Sequence, residues 1–236
     1  MIPEVAVVSG ATGGIGKSIA STLAEHGHHV LALGRNIEVL AELEAACHGL
    51  LRGRPVDLLL DESVDALVDE ITREYRAVRA LIHSAGVYYG GQLADTPIRA
   101  LDVMYRTHVR APFRLTNALI SLLERGRGHL IFVNSSAGLS ARPGAGAYSA
   151  THFAARALAD CWRAELNQRG IRVLTIHPGR TATHLIEAVF ALEGRDFDPQ
   201  LLLQPSDIAR IVLAALDLPE TAELTNVSLR PSRKTY

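Results

Sequence analysis

Short runs of apolar residues alternate along the chain with longer segments in which apolar positions recur every three or four residues. The runs are typical of β-strands, and the longer segments are typical of amphipathic helices. Their alternation indicates repeated βαβ units around a parallel sheet. The predicted strands cover residues 5–9, 29–34, 50–57, 80–84, 129–134, 172–177 and 224–229.

Several of these strands are apolar on successive residues, and the clearest case is residues 130–133, which are Leu, Ile, Phe and Val. A strand of this kind is buried on both faces of its sheet, so helices are expected on each side. Two long helices are predicted over residues 97–124 and 148–169. The pattern predicts an α/β fold, a Rossmann-type, doubly wound parallel sheet in three α/β/α layers, as a single domain over residues 1–236.

The 236 residues have the composition of an ordinary soluble protein, with 48% hydrophobic residues, 21% charged residues and a formal net charge of -1. Acidic and basic residues are mixed, which argues against nucleic acid or an anionic membrane as a partner. Cys47 and Cys161 lack the spacing of a zinc site or a disulfide framework, and we predict no metal site. Because no signal-like segment or bilayer-spanning apolar stretch occurs, a cytoplasmic location is expected.

A glycine-rich segment, Ser-Gly-Ala-Thr-Gly-Gly-Ile-Gly over residues 9–16, follows the first predicted strand and opens the first predicted helix. Glycines let the backbone approach a pyrophosphate closely, and the amides at the helix start point toward its negative charge. A glycine triplet alone is weak support, but its place between a strand and a helix favours dinucleotide binding. The residues expected at the nucleotide are Gly10, Thr12, Gly13, Gly14, Ile15 and Gly16.

The spacing of these glycines resembles that of the short-chain dehydrogenase/reductase superfamily, and later segments extend the resemblance over nearly the whole chain. Residues 83–86, His-Ser-Ala-Gly, are similar to the family's Asn-Asn-Ala-Gly after the fourth strand. Ser135 and Tyr148 match its catalytic serine and tyrosine, and residues 178–183 match its Pro-Gly turn with a threonine. The resemblance implies a nicotinamide-dependent oxidoreductase that acts on a small-molecule carbonyl or alcohol, assembled as a homodimer or homotetramer.

The end of the second strand bears on the choice of cofactor, because an acid there pairs with the ribose hydroxyls of NAD, whereas an arginine accommodates the extra phosphate of NADP. This chain has Gly34, Arg35 and Asn36 there, and no acid. Arg35 offers a permanently charged fork to a phosphate, so NADP(H) is favoured over NAD(H), although a solvated loop arginine is the alternative. By resemblance, the adenine and the neighbouring ribose are bordered by Asp57, Leu58, Ser84, Ala85 and Gly86.

The resemblance also implies roles at the reacting end of the cofactor. Ser135 would orient the substrate carbonyl, and Tyr148 would exchange a proton with it. The turn that would contact the nicotinamide carboxamide consists of Pro178, Gly179, Thr181 and Thr183. The family's lysine, which binds the nicotinamide ribose and lowers the pKa of the tyrosine, falls at His152, and the asparagine of its water relay falls at His108. Both departures lie in the proton relay.

A lysine at position 152 would be charged at neutral pH, whereas a histidine is mostly neutral there. Removing a cation about 4 Å from a tyrosine removes roughly 4 kcal/mol of stabilisation of the tyrosinate. Oxidation of an alcohol, which needs Tyr148 as a base, is therefore penalised more than reduction, which needs it as an acid. We predict an NADPH-dependent reductase. The alternative is an NADP(H)-binding module with impaired catalysis that acts in redox-responsive regulation.

Two apolar segments are expected beside the reacting groups, at the carboxyl ends of the strands. One is Val-Tyr-Tyr over residues 87–89, and the other is the run from Leu185 to Phe190. Their character suits a hydrophobic substrate, and it equally suits a packed loop. The second run lies in an irregular segment from Gly179 to Pro205, whose length favours a lid over a surface excursion.

Overall fold

The computed structural model describes residues 2–233, and residues 1 and 234–236 lie outside the description. The seven predicted strands all occur and form one parallel sheet with the order β3-β2-β1-β4-β5-β6-β7. The strands are β1 (Ile2–Ser9), β2 (Val30–Gly34), β3 (Leu51–Pro55), β4 (Tyr75–His83), β5 (His129–Val133), β6 (Arg172–Pro178) and β7 (Asn226–Leu229). The predicted doubly wound parallel sheet is confirmed.

Helices cover both faces of this sheet, as the apolar strands predict. They are α1 (Gly14–Glu25), α2 (Ile37–Ala46), α3 (Asp61–Glu74), α4 (Ile98–Tyr105), α5 (Ala111–Arg125), α6 (Gly146–Leu166), α7 (His184–Leu192) and α8 (Pro205–Asp217). Successive residues of β1 enter opposite cores, since Val8 packs in the layer with α1 and α8, and Val7 packs in the layer with α3, α5 and α6. The chain reverses its winding between β1 and β4, and ligands of such sheets bind at the carboxyl ends beside this point.

Strand β4 begins at Tyr75, five positions before the predicted start at residue 80. Helix α3 ends at Glu74, and the strand follows at once, with Tyr75 paired to the first residue of β1. Tyr75 and Val78 are buried, but Arg76 and Arg79 interrupt the apolar run by which strands are recognised in the sequence. Because pairing with β1 satisfies the backbone here, the strand continues through the arginines.

The predicted helix over residues 97–124 is interrupted by a π-helical turn, Arg106–Arg110, between α4 and α5. Pro112 stands just after this turn and has no N–H to donate to the carbonyl of His108 four residues earlier, so the regular α-helical pattern fails there. The turn buries His108, with 5% of its surface exposed. Such π-helical turns are frequent at functional sites.

Candidate active site

A cavity of about 530 Å³ opens at the carboxyl ends of the central strands. Every predicted site residue lines it except Asn36 and His108. Asn36 instead begins α2, where its side chain accepts a hydrogen bond from the Val39 amide at 2.9 Å. His108 lies behind the cavity wall and contacts the wall residues described below. The fold therefore brings together segments that are up to about 170 positions apart in the sequence.

The glycine-rich turn after β1 is in close contact with its neighbours. Gly10 has a φ of +67°, and a Cβ there would lie 2.6 Å from the Cα of Ala85, so only glycine fits without strain. The Ser9 hydroxyl accepts hydrogen bonds from the amides of Ser84 and Ala85, which joins the turns after β1 and β4. Gly14 faces Thr183, whose methyl carbon would lie 2.6 Å from an added Cβ. Three chain segments thus meet at the glycine-rich turn.

The end of β2 leaves no room for an acidic side chain. A Cβ on Gly34 would lie 2.5 Å from the methyl carbon of Thr12. Arg35, the next residue, is exposed and lines the cavity. The groups presented at this end are therefore the Thr12 hydroxyl, the glycine backbone and a guanidinium, which together suit a phosphate better than a pair of ribose hydroxyls.

Ser135 and Tyr148 form the hydroxyl pair that the sequence predicts. Ser135 follows β5, and Tyr148 lies in the first turn of α6, so a strand end and a helix start bring them together. Burial raises the pKa of Tyr148 above its ordinary value, while its hydrogen bond with the Ser135 hydroxyl acts in the opposite direction. Tyr88 packs edge-on against Tyr148, with the ring centroids 5.0 Å apart. The phenol is protonated at neutral pH and able to donate a proton.

His152 lies one turn along α6 from Tyr148, with the ring centroids 4.3 Å apart. Its Nδ1 lies 2.9 Å from Oδ1 of Asn134. That oxygen also accepts the Ser135 amide at 2.7 Å, while the Asn134 side-chain nitrogen donates to the His152 carbonyl at 3.1 Å. Because Oδ1 only accepts, Nδ1 of His152 carries the proton. Sequence reasoning missed Asn134, although its place beside Ser135 at the end of β5 is the signal that could have found it.

His108 has protein partners at both ring nitrogens. Its Nε2 accepts the Val87 amide at 3.1 Å, so its proton is on Nδ1, which donates to the Thr151 hydroxyl at 2.9 Å. Thr151 in turn donates to the Tyr148 carbonyl at 2.8 Å. The ring therefore links the loop after β4 to the helix that carries Tyr148.

The two histidines are stacked, with their ring centroids 4.4 Å apart. Burial lowers the pKa of His108 to about 4. Burial, together with the neighbouring His108 and His177, lowers the pKa of His152 well below its ordinary value. Both rings are neutral at pH 7. Neither therefore supplies a positive charge beside Tyr148, as the lysine would in the family that this chain resembles.

The part of the cavity lined by the loop after β4 and the start of α7 is mainly apolar. Tyr89 and Val87 come from the loop after β4, and Leu185 and Ile186 come from the start of α7. Phe190, at the other end of the predicted run, is buried instead and has the Arg180 guanidinium 4.5 Å above its ring. The apolar run is therefore divided between lining the cavity and packing.

Comparison with known proteins establishes the family. The profile of the short chain dehydrogenase family matches residues 4–193, which is most of the chain. This chain belongs to the short-chain dehydrogenase family. A short-chain type dehydrogenase/reductase of Sinorhizobium fredii is 35% identical over 234 residues, covering 97% of this chain and 92% of the relative. An oxidoreductase of Staphylococcus aureus is 30% identical, with 97% of each chain covered.

Solved structures show the same architecture. A short-chain dehydrogenase of Shigella flexneri in complex with NADP has a TM-score of 0.87 at 29% identity, with 97% of each chain covered. A metagenomic short-chain oxidoreductase in complex with NADP has a TM-score of 0.83 at 26% identity, with 98% of each chain covered. The predicted family and the predicted fold are both confirmed, and the chain is an oxidoreductase of the short-chain type. Within residues 2–233, no helix combines the length and the apolar character needed to cross a membrane.

Proposed function

We propose that this short-chain dehydrogenase uses NADP(H) to interconvert a small-molecule carbonyl and the corresponding alcohol, and that it favours reduction. The observation that carries the proposal is a protonated tyrosine, paired with a serine hydroxyl, on the wall of a cavity that also contains the glycine-rich turn. Bound NADPH would supply the hydride. The residues of the chain would then bind, orient and protonate the substrate.

In this proposal Ser135 would donate a hydrogen bond to the carbonyl oxygen, and Tyr148 would transfer its phenolic proton to the same oxygen. The direction follows from the state of the phenol. Because burial raises the pKa of Tyr148, nearly all of the enzyme holds the proton at pH 7 and is ready to act as an acid. Alcohol oxidation requires the tyrosinate, which the neutral His152 beside it does not stabilise.

The proposal of NADP(H) rather than NAD(H) is supported by three features at the end of β2. Gly34 has no space for an acid, Arg35 offers a guanidinium, and Thr12 lies beside both. Two relatives of known structure are themselves NADP complexes. The remaining proposed cofactor contacts are the glycine-rich turn, residues 57–58 and 84–86, and the turn at residues 178–183.

The substitution Arg35→Met tests the cofactor assignment while keeping an unbranched side chain. A charge-assisted hydrogen bond is worth about 1.5–3 kcal/mol, so we expect the KM for NADPH to rise about 10- to 100-fold. The KM for NADH should change little, because NADH lacks the phosphate. Arg73→Met, an exposed arginine on α3 that does not line the cavity, is the control. Equal changes for both cofactors in Arg35→Met would contradict a phosphate contact.

A second candidate function is favoured by the neutral histidine pair. Since His108 and His152 replace both relay residues of the resembling family, the chain could bind NADP(H) without efficient turnover and respond to the redox state of the pool. Cofactor consumption across a carbonyl panel separates the two functions. Consumption that Tyr148→Phe abolishes supports the reductase, whereas quenching of protein fluorescence by NADPH without consumption supports the binding module.

We also propose a homodimer or homotetramer. Phe113 on α5 and Phe153 on α6 are 48% and 41% exposed, although both are large and apolar. Contact with a second copy would remove this surface from water, which is favourable for aromatic side chains.

A further inference from the structure

The imidazole of His152 has a polar atom with no partner. The side chain is buried, with 5% of the residue exposed, and Nε2 makes no hydrogen bond to any described residue. Asn134 holds the proton on Nδ1, so Nε2 is a bare lone pair and can only accept. Leaving a buried acceptor without a donor is unfavourable, because its hydrogen bond to water is lost and not replaced.

The surroundings of the ring restrict where a partner can come from. His108 covers one face of the imidazole, and Tyr148 packs against it edge-on. Nδ1 is committed to Asn134. The imidazole of His152 is also one of the groups that line the cavity. A donor on a ligand in this cavity would complete the hydrogen bonding of His152.

We propose that Nε2 of His152 accepts a hydrogen bond from a hydroxyl group of the ligand bound in this cavity. The inference rests on the proposed NADP(H)-dependent function and deepens it. Both ligands of that function carry hydroxyls, namely the ribose of the nicotinamide half of NADPH and the alcohol form of the substrate. The hydrogen bond has the opposite polarity from one made by a lysine, because an ammonium donates and has no acceptor. In this proposal His152 contacts the ligand as a hydrogen-bond acceptor, so the ligand hydroxyl is the donor.

Nitrogen NMR of histidine-labelled protein tests the inference directly. Long-range proton–nitrogen correlation identifies the protonated nitrogen of each ring, and the spectrum of His152→Gln assigns the resonances of His152. In the free protein we expect a protonated Nδ1 and an unprotonated Nε2. Addition of NADPH should move the Nε2 resonance toward the position of a hydrogen-bonded nitrogen while Nδ1 keeps its proton. The compound 2′,5′-ADP, which lacks the nicotinamide riboside, should leave Nε2 unmoved.

Adding cyclohexanol to the NADPH complex distinguishes the two possible sources of the hydroxyl, the ribose and the alcohol substrate. Movement with NADPH alone identifies the ribose, and movement only after cyclohexanol identifies the alcohol substrate. A protonated Nε2 in the free protein, or an Nε2 that neither addition moves, overturns the inference. If fluorescence shows that NADPH binds while Nε2 stays unmoved, the inference fails and the proposed function stands. If NADPH does not bind, both fail.

Affinity for NADPH gives a second measurement that does not depend on turnover. We expect His152→Leu, which has no acceptor, to raise the Kd by about 3- to 10-fold, as the loss of one hydrogen bond implies. His152→Gln keeps an acceptor and should stay within about threefold of the parent. His129→Leu is the matched control, because His129 is equally buried with an unpaired Nε2 but does not line the cavity. Equal Kd values for His152→Leu and His129→Leu would contradict the ligand contact.

Discussion

In the proposed reaction, the protonation state of Tyr148 sets the direction of catalysis. Burial raises the pKa of its phenol, the Ser135 hydroxyl lowers it, and the neighbouring His152 is neutral and supplies no positive charge. An acid of this kind retains its proton at pH 7 and gives it up only to a developing alkoxide. The geometry at the residue scale therefore supports reduction over oxidation.

Restoring a cation should change this balance. In His152→Lys an ammonium next to Tyr148 should lower the pKa of the phenol by about 1–3 units. We expect the rate of alcohol oxidation at pH 7 to rise about tenfold or more, since the tyrosinate fraction grows tenfold per unit. The rate of carbonyl reduction should change less. Rates in both directions from pH 6 to 10 measure the effect.

The control for this experiment is His152→Gln, which is neutral and should leave the pH profile of oxidation where it is in the parent. If His152→Lys and His152→Gln give the same profile, the charge at this position does not set the reactivity of Tyr148. Circular dichroism of each variant establishes that the fold is intact.

At the scale of elements, the segment from Gly179 to Pro205 has defined anchors. Its two ends pair, because the Ala182 amide donates to the Leu203 carbonyl and the Leu203 amide donates to the Arg180 carbonyl. Helix α7 lies between them, and the Arg180 guanidinium binds both carboxylate oxygens of Glu193 at 2.7–2.8 Å. The apolar start of α7 lines the cavity. That this segment opens as a lid stays a prediction. Opening would have to break the contacts described above.

Substituting Arg180→Met should loosen the segment without unfolding the protein. The variant loses a partly buried ion pair and a cation–π contact with Phe190, which together hold the end of α7 against the turn after β6. We expect hydrogen exchange in residues 183–202 to become at least several-fold faster, with the rest of the sheet unchanged. Mass spectrometry of exchanged peptides measures this.

Arg169→Met provides the comparison, because Arg169 makes a similar pair with Glu124 that is more exposed and distant from α7. It should leave exchange in residues 183–202 as in the parent. Unchanged exchange in Arg180→Met would mean that the backbone pairing with Leu203 suffices to hold the segment.

At the scale of the whole molecule, several histidines are buried in the neutral form. Burial lowers the pKa of His83 to about 3, of His129 to about 3 and of His108 to about 4. In the unfolded chain a histidine takes up a proton near pH 6.5. As the pH falls below 6.5 the unfolded state binds protons that the folded state excludes, so stability declines until each folded pKa is reached. Near pH 7 and above, these histidines do not lower the stability in this way.

The variant His83→Asn measures how much one of these buried histidines contributes to the pH dependence of stability. His83 bonds to the Thr116 hydroxyl within the core and lies outside the cavity lining. Between pH 7.5 and 5.5 the parent should lose about 1.4 kcal/mol of unfolding free energy through this residue, which the variant should not lose. The measured quantity is the difference between the two pH values, so a constant cost of the substitution cancels. Urea unfolding at both pH values gives it.

His184→Asn makes the same substitution at an exposed histidine on α7 and serves as the surface control. An equal decline in His83→Asn and the parent would show that His83 is protonated in the folded state.

The family, the seven strands, the doubly wound sheet and most of the cavity lining could be predicted from the sequence. These follow from local signals: apolar strands, glycines at a strand-to-helix turn, and Ser135 and Tyr148 at recognisable positions. Such signals can be recognised in a sequence because each depends on the conformation of a few neighbouring residues.

The hydrogen bonding and the protonation states within the site could not be predicted from the sequence. The proton on His152 is placed by Asn134, which precedes it by 18 positions, and the neutrality of both histidines comes from burial by distant segments. The sequence shows that position 34 has no acid, but it does not show that the Thr12 methyl group excludes a side chain there. Hydrogen-bond direction and burial are properties of contacts between remote parts of the chain, and no local pattern encodes them. The unpaired Nε2 of His152 is therefore visible only in the folded molecule.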